Sequence, residues 1–280
     1  MLKKIFQMIG LISLTCFSFF ITEKTAIVIN NMDEIMTKIN ENKDEYKMSP
    51  IDATIDGDTI TPGIRGREVN ISKSYKNMKK NGYYSDKLYI YDYIVPNISI
   101  NDNLDKYIVQ GNSEKRMVSL VFLVKSGDNI DKVLNIIDNY NVKVTFFVEF
   151  DWFKENNNLV DKMVKSFHTV SPLFDDYSDP NFEWMNTVLR KVNNQSVNFC
   201  YNTNNSSSNL EQCKLKKSFT VKPIKISDNT PLVDIKDKLN SGSILSLSVN
   251  SEVKKELSSI IIYIKSKGYN IASLEENILE

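Results

Sequence analysis

From Met117 to Glu280 the apolar positions keep switching between a strand-like and a helix-like period. The run Met117-Val-Ser-Leu-Val-Phe-Leu-Val124 reads as a buried strand, and Ile130–Tyr140 after it has the three-to-four spacing of an amphipathic helix. Lys143–Val148 is a second strand, followed by a helix over Asn156–Phe167 that ends at His168, the only histidine. The same alternation continues: strands at Thr169–Ser171, Ser196–Tyr201, Phe219–Val221, Ser243–Val249 and Tyr269–Ala272, with helices over Asn181–Asn193, Asn209–Lys217, Leu232–Asn240 and Val253–Lys267. Strand-helix alternation of this kind builds a parallel sheet, so the fold class is α/β, and seven strands with six intervening helices fit a distorted (β/α) barrel. In such a barrel the loops at the carboxyl ends of the strands carry the chemistry.

The pattern before Met117 is different. Lys3 and Lys4 precede an apolar run, Ile5 to Thr22, closed by Glu23 and Lys24. It is apolar on every face, which suits lipid better than a soluble core, and the flanking lysines direct the rest of the chain outward. No small-x-small cleavage site follows, so the expectation is a signal-anchor over residues 1–24 with the main domain extracytoplasmic; secretion after cleavage is the alternative. Asn31–Lys47 reads as a stalk or short helix. Asp52–Ile60 alternates like a strand, Thr61–Arg67 reads as turns, and a helix around Ser72–Asn81 is ended by Gly82. Lys87–Val95, stopped by Pro96, is a strand with a tyrosine stripe. It is read as half-buried packing, with a stacking platform for sugars as the other reading. Residues 25–115 thus form a stalk and small α+β region, and 116–280 the main domain.

Charge and cysteine content narrow the partners. Thirty-five basic and 35 acidic residues balance to a net charge of zero, so no global field recruits nucleic acid. Cys200 and Cys213 are too few for a disulfide framework or a thiolate zinc site; two buried thiols are the default, and one bridge suits an oxidising compartment.

The segment Asn139-Tyr-Asn-Val-Lys-Val-Thr-Phe-Phe-Val148, with Trp152 beyond it and Phe167-His168 after the next helix, resembles the core of the polysaccharide deacetylase (NodB homology) family. The ending Leu257–Tyr269, with its Gly268 turn, and Ala272-Ser-Leu-Glu275 is similar to the family's closing elements. The resemblance implies a deacetylase-type barrel, a divalent metal such as zinc, and hydrolysis of acetylated glycan amides. It also implies where the chemistry belongs. The family's Thr-Phe-Asp-Asp-Gly, holding the base and a metal ligand, falls on Phe122-Leu123-Val124; its two ligating histidines fall on Leu173 and Tyr177; its acid histidine falls on Ser248. Aliphatic side chains neither take a proton from water nor bind a cation. The implied member is therefore degenerate, without catalytic residues or metal cofactor, and His168 falls on a non-ligand position.

Other chemistry is weaker. Asp175, Asp176 and Asp179 with His168 offer a relocated metal site, against the plainer reading of a solvated loop before Pro180. Glu149 and Asp151 resemble a glycosidase pair but read as loop surface. Ser206–Ser208 and Ser241-Gly-Ser243 lack a partner base, and Gly63-Ile-Arg-Gly66 lacks phosphate-loop spacing. The expected function is an inactive, membrane-anchored, deacetylase-like protein that binds a cell-envelope glycan or envelope protein, with Tyr177 and Tyr201 as candidate sugar contacts. The alternative is an active N-deacetylase of peptidoglycan or chitin type with a rearranged site.

Overall fold

The computed structural model describes residues 12–19, 33–193, 198–202 and 206–280. Two compact units form, one from Met1–Pro50 with Arg65–Ile94, the other from Ile51–Ile64 with Val95–Glu280. Along the chain run helix α1 (Glu34–Asn42), strands β1 (Thr54–Asp56), β2 (Thr59–Thr61) and β3 (Gly66–Val69), helix α2 (Ile71–Asn81), and strands β4 (Tyr91–Ile94) and β5 (Tyr107–Ile108). Then come β6 (Met117–Val124), α3 (Asp131–Asn139), β7 (Thr145–Glu149), α4 (Phe150–Glu155), α5 (Asn157–Lys165), β8 (Thr169–Leu173), α6 (Pro180–Asn193) and β9 (Phe199–Tyr201). The chain closes with α7 (Ser207–Leu215), β10 (Phe219–Val221), β11 (Ile224–Lys225), α8 (Pro231–Lys238), β12 (Ile244–Ser248), α9 (Ser251–Ser266), β13 (Asn270–Ile271) and α10 (Leu274–Ile278). Of the expected membrane segment, residues 12–19 are helical and the rest lies outside the described residues. Among the described residues no helix is long and apolar enough to cross a membrane.

In the smaller unit, Asn70 caps α2 by accepting from the Lys73 amide at 2.8 Å, and Gly82 ends the helix at φ +81°. Of the expected stalk or short helix, Glu34–Asn42 is a helix and it is packed. Met36 and Ile39, three apart on α1, lie on one face, and Ile39 shares a core with Val69, Met78 and Tyr89.

The larger unit takes in residues 51–64 and 95–115, which the sequence pattern assigns to the N-terminal region. Its main sheet has the order β11-β12-β6-β7-β8, all parallel, with β13 also paired to β6. On β6, Val118, Leu120, Phe122 and Val124 face an outer core with α3 and α9, and Val121 and Leu123 face an inner one. A second sheet runs β1-β2-β5-β10-β9, and its Phe199, Tyr201, Phe219 and Val221 fill the inner core from the other side. The first turn of α10 lies under this core: the Ser119 hydroxyl donates to the Ser273 carbonyl at 3.1 Å, and the Leu274 amide donates to the Thr145 hydroxyl at 2.9 Å.

The described strands form open sheets and no closed barrel, which corrects the expected barrel. The reason lies at the edges of β8 and β9. On β8 the Val170 amide donates to the Asn193 side chain at 3.2 Å, and the Asn193 amide donates to the Val170 carbonyl at 2.7 Å. Pro172, next on that edge, has no N–H. On β9 the Tyr177 hydroxyl donates to the Tyr201 carbonyl at 2.8 Å and accepts from the Tyr201 amide at 2.7 Å. Side chains have taken the groups that a ladder would use.

Cys200 on β9 and Cys213 on α7 form a disulfide, with Cα atoms 6.3 Å apart, so the two-thiol default is corrected. Both sulfurs are buried against Tyr177 and Phe182. Reduction, or Cys213→Ser with Cys200→Ser, is expected to lower unfolding free energy by about 3 kcal/mol for a loop of this size, read by urea titration with and without reductant.

Candidate functional site

The carboxyl ends of β6, β7, β8 and β9 open on a cleft of about 660 Å3. Its lining includes Leu123, Leu173, Phe174 and Tyr201 among apolar and aromatic groups, and Lys125, Glu149, Lys154 and Asp175 among charged ones. Leu123 stands beside Phe147 on β7 and Ser248 on β12, and Leu173 is registered against Glu149. Three of the sequence-assigned positions, Leu123, Leu173 and Ser248, therefore gather at one end of the sheet. The others do not reach the cleft surface. Val124 points the opposite way, fully buried in the outer core. Tyr177 is 1% exposed, its ring 4.9 Å from Phe182 and its hydroxyl committed to Tyr201.

That burial corrects the expectation of Tyr177 as a sugar contact, because stacking needs an open ring face. Tyr201 reaches the cleft but is only 4% exposed; its ring packs on Phe147 at 5.4 Å and its hydroxyl bonds the Ser246 hydroxyl at 2.8 Å. Burial raises the pKa of both phenols, so they stay neutral hydrogen-bonding groups.

The acidic rim is tied down locally. Glu149 accepts from the Ser126 amide at 2.8 Å, Asp151 pairs with Lys154 at 2.8 Å, and Asp179 accepts from the Asn181 amide at 2.8 Å. Asp176 accepts from the Ser178 amide, which lowers its pKa. Glu149 and Asp151 are not in a surface loop, since Phe150 begins α4 directly after β7. Among the described residues no three His, Cys, Asp or Glu side chains converge where a metal ion would be held. The family metal does not fit the residues present.

His168 cannot join Asp175 in a relocated site. It precedes Thr169, the first residue of β8, and Asp175 follows the last, five residues of roughly 3.3 Å each away. Its ring is buried; Nε2 meets Asp138 at 3.1 Å, and Nδ1 accepts from the Val144 amide at 3.4 Å. Burial holds its pKa below the usual imidazole value, against the pull of Asp138. The serine candidates are structural too: Ser206 caps α7, and the Ser243 hydroxyl accepts from the Asn240 amide at 3.0 Å.

Sequence reading missed the aromatic group beside the cleft. Phe150, at the start of α4, lies 6.4 Å from Phe174 and 6.0 Å from Trp184 on α6, and Trp184 is 53% exposed. These rings come from three elements, so no local spacing announces them.

The parallel α/β sheet has its cleft at the strand carboxyl ends, and residues 110–221 match the polysaccharide deacetylase family. Over 275 residues the chain is 26% identical to the uncharacterised protein YlxY of Bacillus subtilis (strain 168), covering 90% of this chain and 86% of that one. Among solved structures, wild-type BA3943 of Bacillus anthracis, described as a CE4 family pseudoenzyme, is similar with a TM-score of 0.63 at 22% identity, covering 88% of this chain and 95% of that chain. A mutant of BA3943, described as having restored enzymatic activity, has the same TM-score of 0.63 and identity of 22%, over 88% of this chain and 98% of its own. The family 4 carbohydrate esterase PdaA of Bacillus subtilis is similar with a TM-score of 0.52 at 19% identity, covering 63% of this chain and 86% of that chain.

Two outcomes are expected. Tyr177→Phe strands the Tyr201 amide and carbonyl, costing roughly 2 to 4 kcal/mol in denaturant titration. For His168 the lowered folded pKa means the unfolded chain binds the proton first. Its contribution is complete above the unfolded value and is lost as pH falls through the folded one. The urea midpoint should therefore fall between pH 8 and pH 5, and His168→Gln should flatten that fall.

Proposed function

We propose that this protein is a catalytically silent deacetylase-type domain that binds a cell-envelope glycan through the cleft at the carboxyl ends of β6 to β9. The observation that carries the reading is Tyr177. It falls where the family resemblance puts a metal-ligating histidine, and its hydroxyl bonds both backbone groups of Tyr201. Metal-assisted amide hydrolysis needs about three protein ligands and an acid that can give up a proton near neutral pH. Leu123, Leu173 and Ser248 offer none of these. The pseudoenzyme description of BA3943 supports this reading.

Glycan binding survives the loss of catalysis because stacking needs aromatic faces rather than a metal. Phe150, Phe174 and the exposed Trp184 supply them beside the cleft. No divalent cofactor takes part in this reading. The apolar run after Lys3 and Lys4 would hold the domain outside the cell membrane, and the Cys200–Cys213 disulfide suits that oxidising side.

Wild-type protein is expected to release no acetate from chitin oligomers or peptidoglycan fragments above a heat-killed control. Leu123→Asp with Val124→Asp should stay silent too, because Val124 faces the outer core and groups that act as a unit are not additive. Thermal melts with EDTA and with zinc should coincide; an ion bound to the native state alone at 100 times its Kd would add about 2.7 kcal/mol. Chitin oligomers should bind without turnover, and Trp184→Ala should weaken that binding several-fold in calorimetry. Chelator-sensitive acetate release would replace this reading with that of an active deacetylase.

A further inference from the structure

Two Phe-Asp pairs stand side by side at the mouth of the cleft. Glu149 ends β7 and Leu173 ends β8, and the two are registered against each other. Phe150-Asp151 follows the first and Phe174-Asp175 the second, so neighbouring strands carry the same dipeptide at the same place. All four residues line the cleft, and the two rings lie 6.4 Å apart. The first pair already holds an ammonium. Lys154, one turn along α4, places its ammonium over the Phe150 ring at 4.5 Å and 2.8 Å from the Asp151 carboxylate. A ring face and a carboxylate attract a cation together, one through its quadrupole and the other through its charge.

The second pair meets no cation among the described residues. Asp175 is exposed, and its carboxylate has no hydrogen bond or ion pair among them; only its backbone carbonyl is engaged, accepting from the Asn209 side chain at 2.8 Å. The charge of the whole lining points the same way. It holds five carboxylates and two lysines, in a chain whose net charge is zero. Lys154 is paired with Asp151, which leaves Glu149, Asp175, Asp176 and Asp179 against Lys125 alone. A concave site dominated by one sign of charge, between low-dielectric walls, concentrates ligands of the other sign.

We propose that the cleft selects a glycan whose amino sugars carry free amines, charged as ammonium groups, over the same glycan with those amines acetylated. The proposal rests on the glycan reading of the cleft and adds the charge of the ligand. A sugar ammonium meets Phe174 and Asp175 as the Lys154 ammonium meets Phe150 and Asp151. An acetamide is neutral and offers Asp175 no charge. The class of reaction that must supply this ligand is hydrolysis of glycan acetamides by another protein: water cleaves the C–N bond, acetate leaves, and the amine takes up a proton. The domain thus reads the product of deacetylation rather than its substrate.

The test is calorimetry on the full-length chain with chitosan and chitin oligomers of equal length, at a mildly acidic pH where the sugar amines are charged, and at low and moderate salt. Chitosan should bind about tenfold more tightly than chitin at low salt, and the margin should shrink as salt rises. Asp175→Asn, an isosteric change at an exposed position, should bring the two affinities within a few-fold of each other. Lys125→Gln removes the opposing charge and should widen the margin instead. Chitin binding as tightly as chitosan, or a margin indifferent to Asp175→Asn, overturns the proposal and leaves the glycan reading in place. Failure of both oligomers to bind overturns that reading and the proposal with it. Oligolysine binding as tightly as chitosan, with neither weakened by Trp184→Ala, also overturns the proposal, since the cleft would then hold any cation without reading a sugar.

Discussion

Burial of β6 on both faces is the constraint from which the larger unit follows. One set of its side chains closes the outer core against α3 and α9, and the alternate set closes the inner core against Phe199, Tyr201 and Phe219. A strand in that position is read as an almost unbroken apolar run, because neither face meets water. Where the family resemblance puts carboxylates at the end of this strand, Leu123 and Val124 continue the apolar pattern to its last residue. Leu123 extends the inner core up to the cleft, and Val124 extends the outer core.

Side-chain packing also decides the open seam. Tyr177 and Asn193 each satisfy one amide and one carbonyl on a strand edge, and Pro172 removes a donor that would otherwise need an acceptor. Edge groups answered in this way are protected from water without a ladder, so β8 and β9 end two sheets. The disulfide lies in the same cluster as Tyr177 and Phe182, on the side of the seam where β9 meets α7. Tyr177, where the family resemblance implies a ligand, supports a strand edge here.

The cleft at the strand carboxyl ends is lined by both apolar and charged side chains. Its acids mostly serve the turns that carry them: Asp176 and Asp179 accept amides within two residues, and Glu149 accepts from the loop after β6. For Asp176 the contact with Ser178 holds the pKa down, which favours its charged form at the rim. The aromatic surface beside it, from Phe150 to Trp184, is the part with an open face.

The alternation of apolar periods by itself determined the strand-helix order from β6 onward, since burial on one or two faces writes itself locally into the residues that are buried. The resemblance to family motifs is the ground for expecting that the family chemistry is missing, because an aliphatic side chain transfers no proton. Short elements left no such trace. Strands β5 and β11 have two residues each, too few for a period, and exist only because β10, β2 and β12 lie alongside. Helix α1 reads as a stalk or a short helix, and the packing of Ile39 with Val69 and Met78 is what its own residues do not announce. Open sheets rather than a closed barrel, the burial of Tyr177, and the pairing of Cys200 with Cys213 were decided by the tertiary structure alone. Each depends on groups far apart in the chain meeting at one place, Asn193 with Val170 or Tyr177 with Tyr201, and a sequence pattern records what a residue prefers to face rather than which partner it will find there.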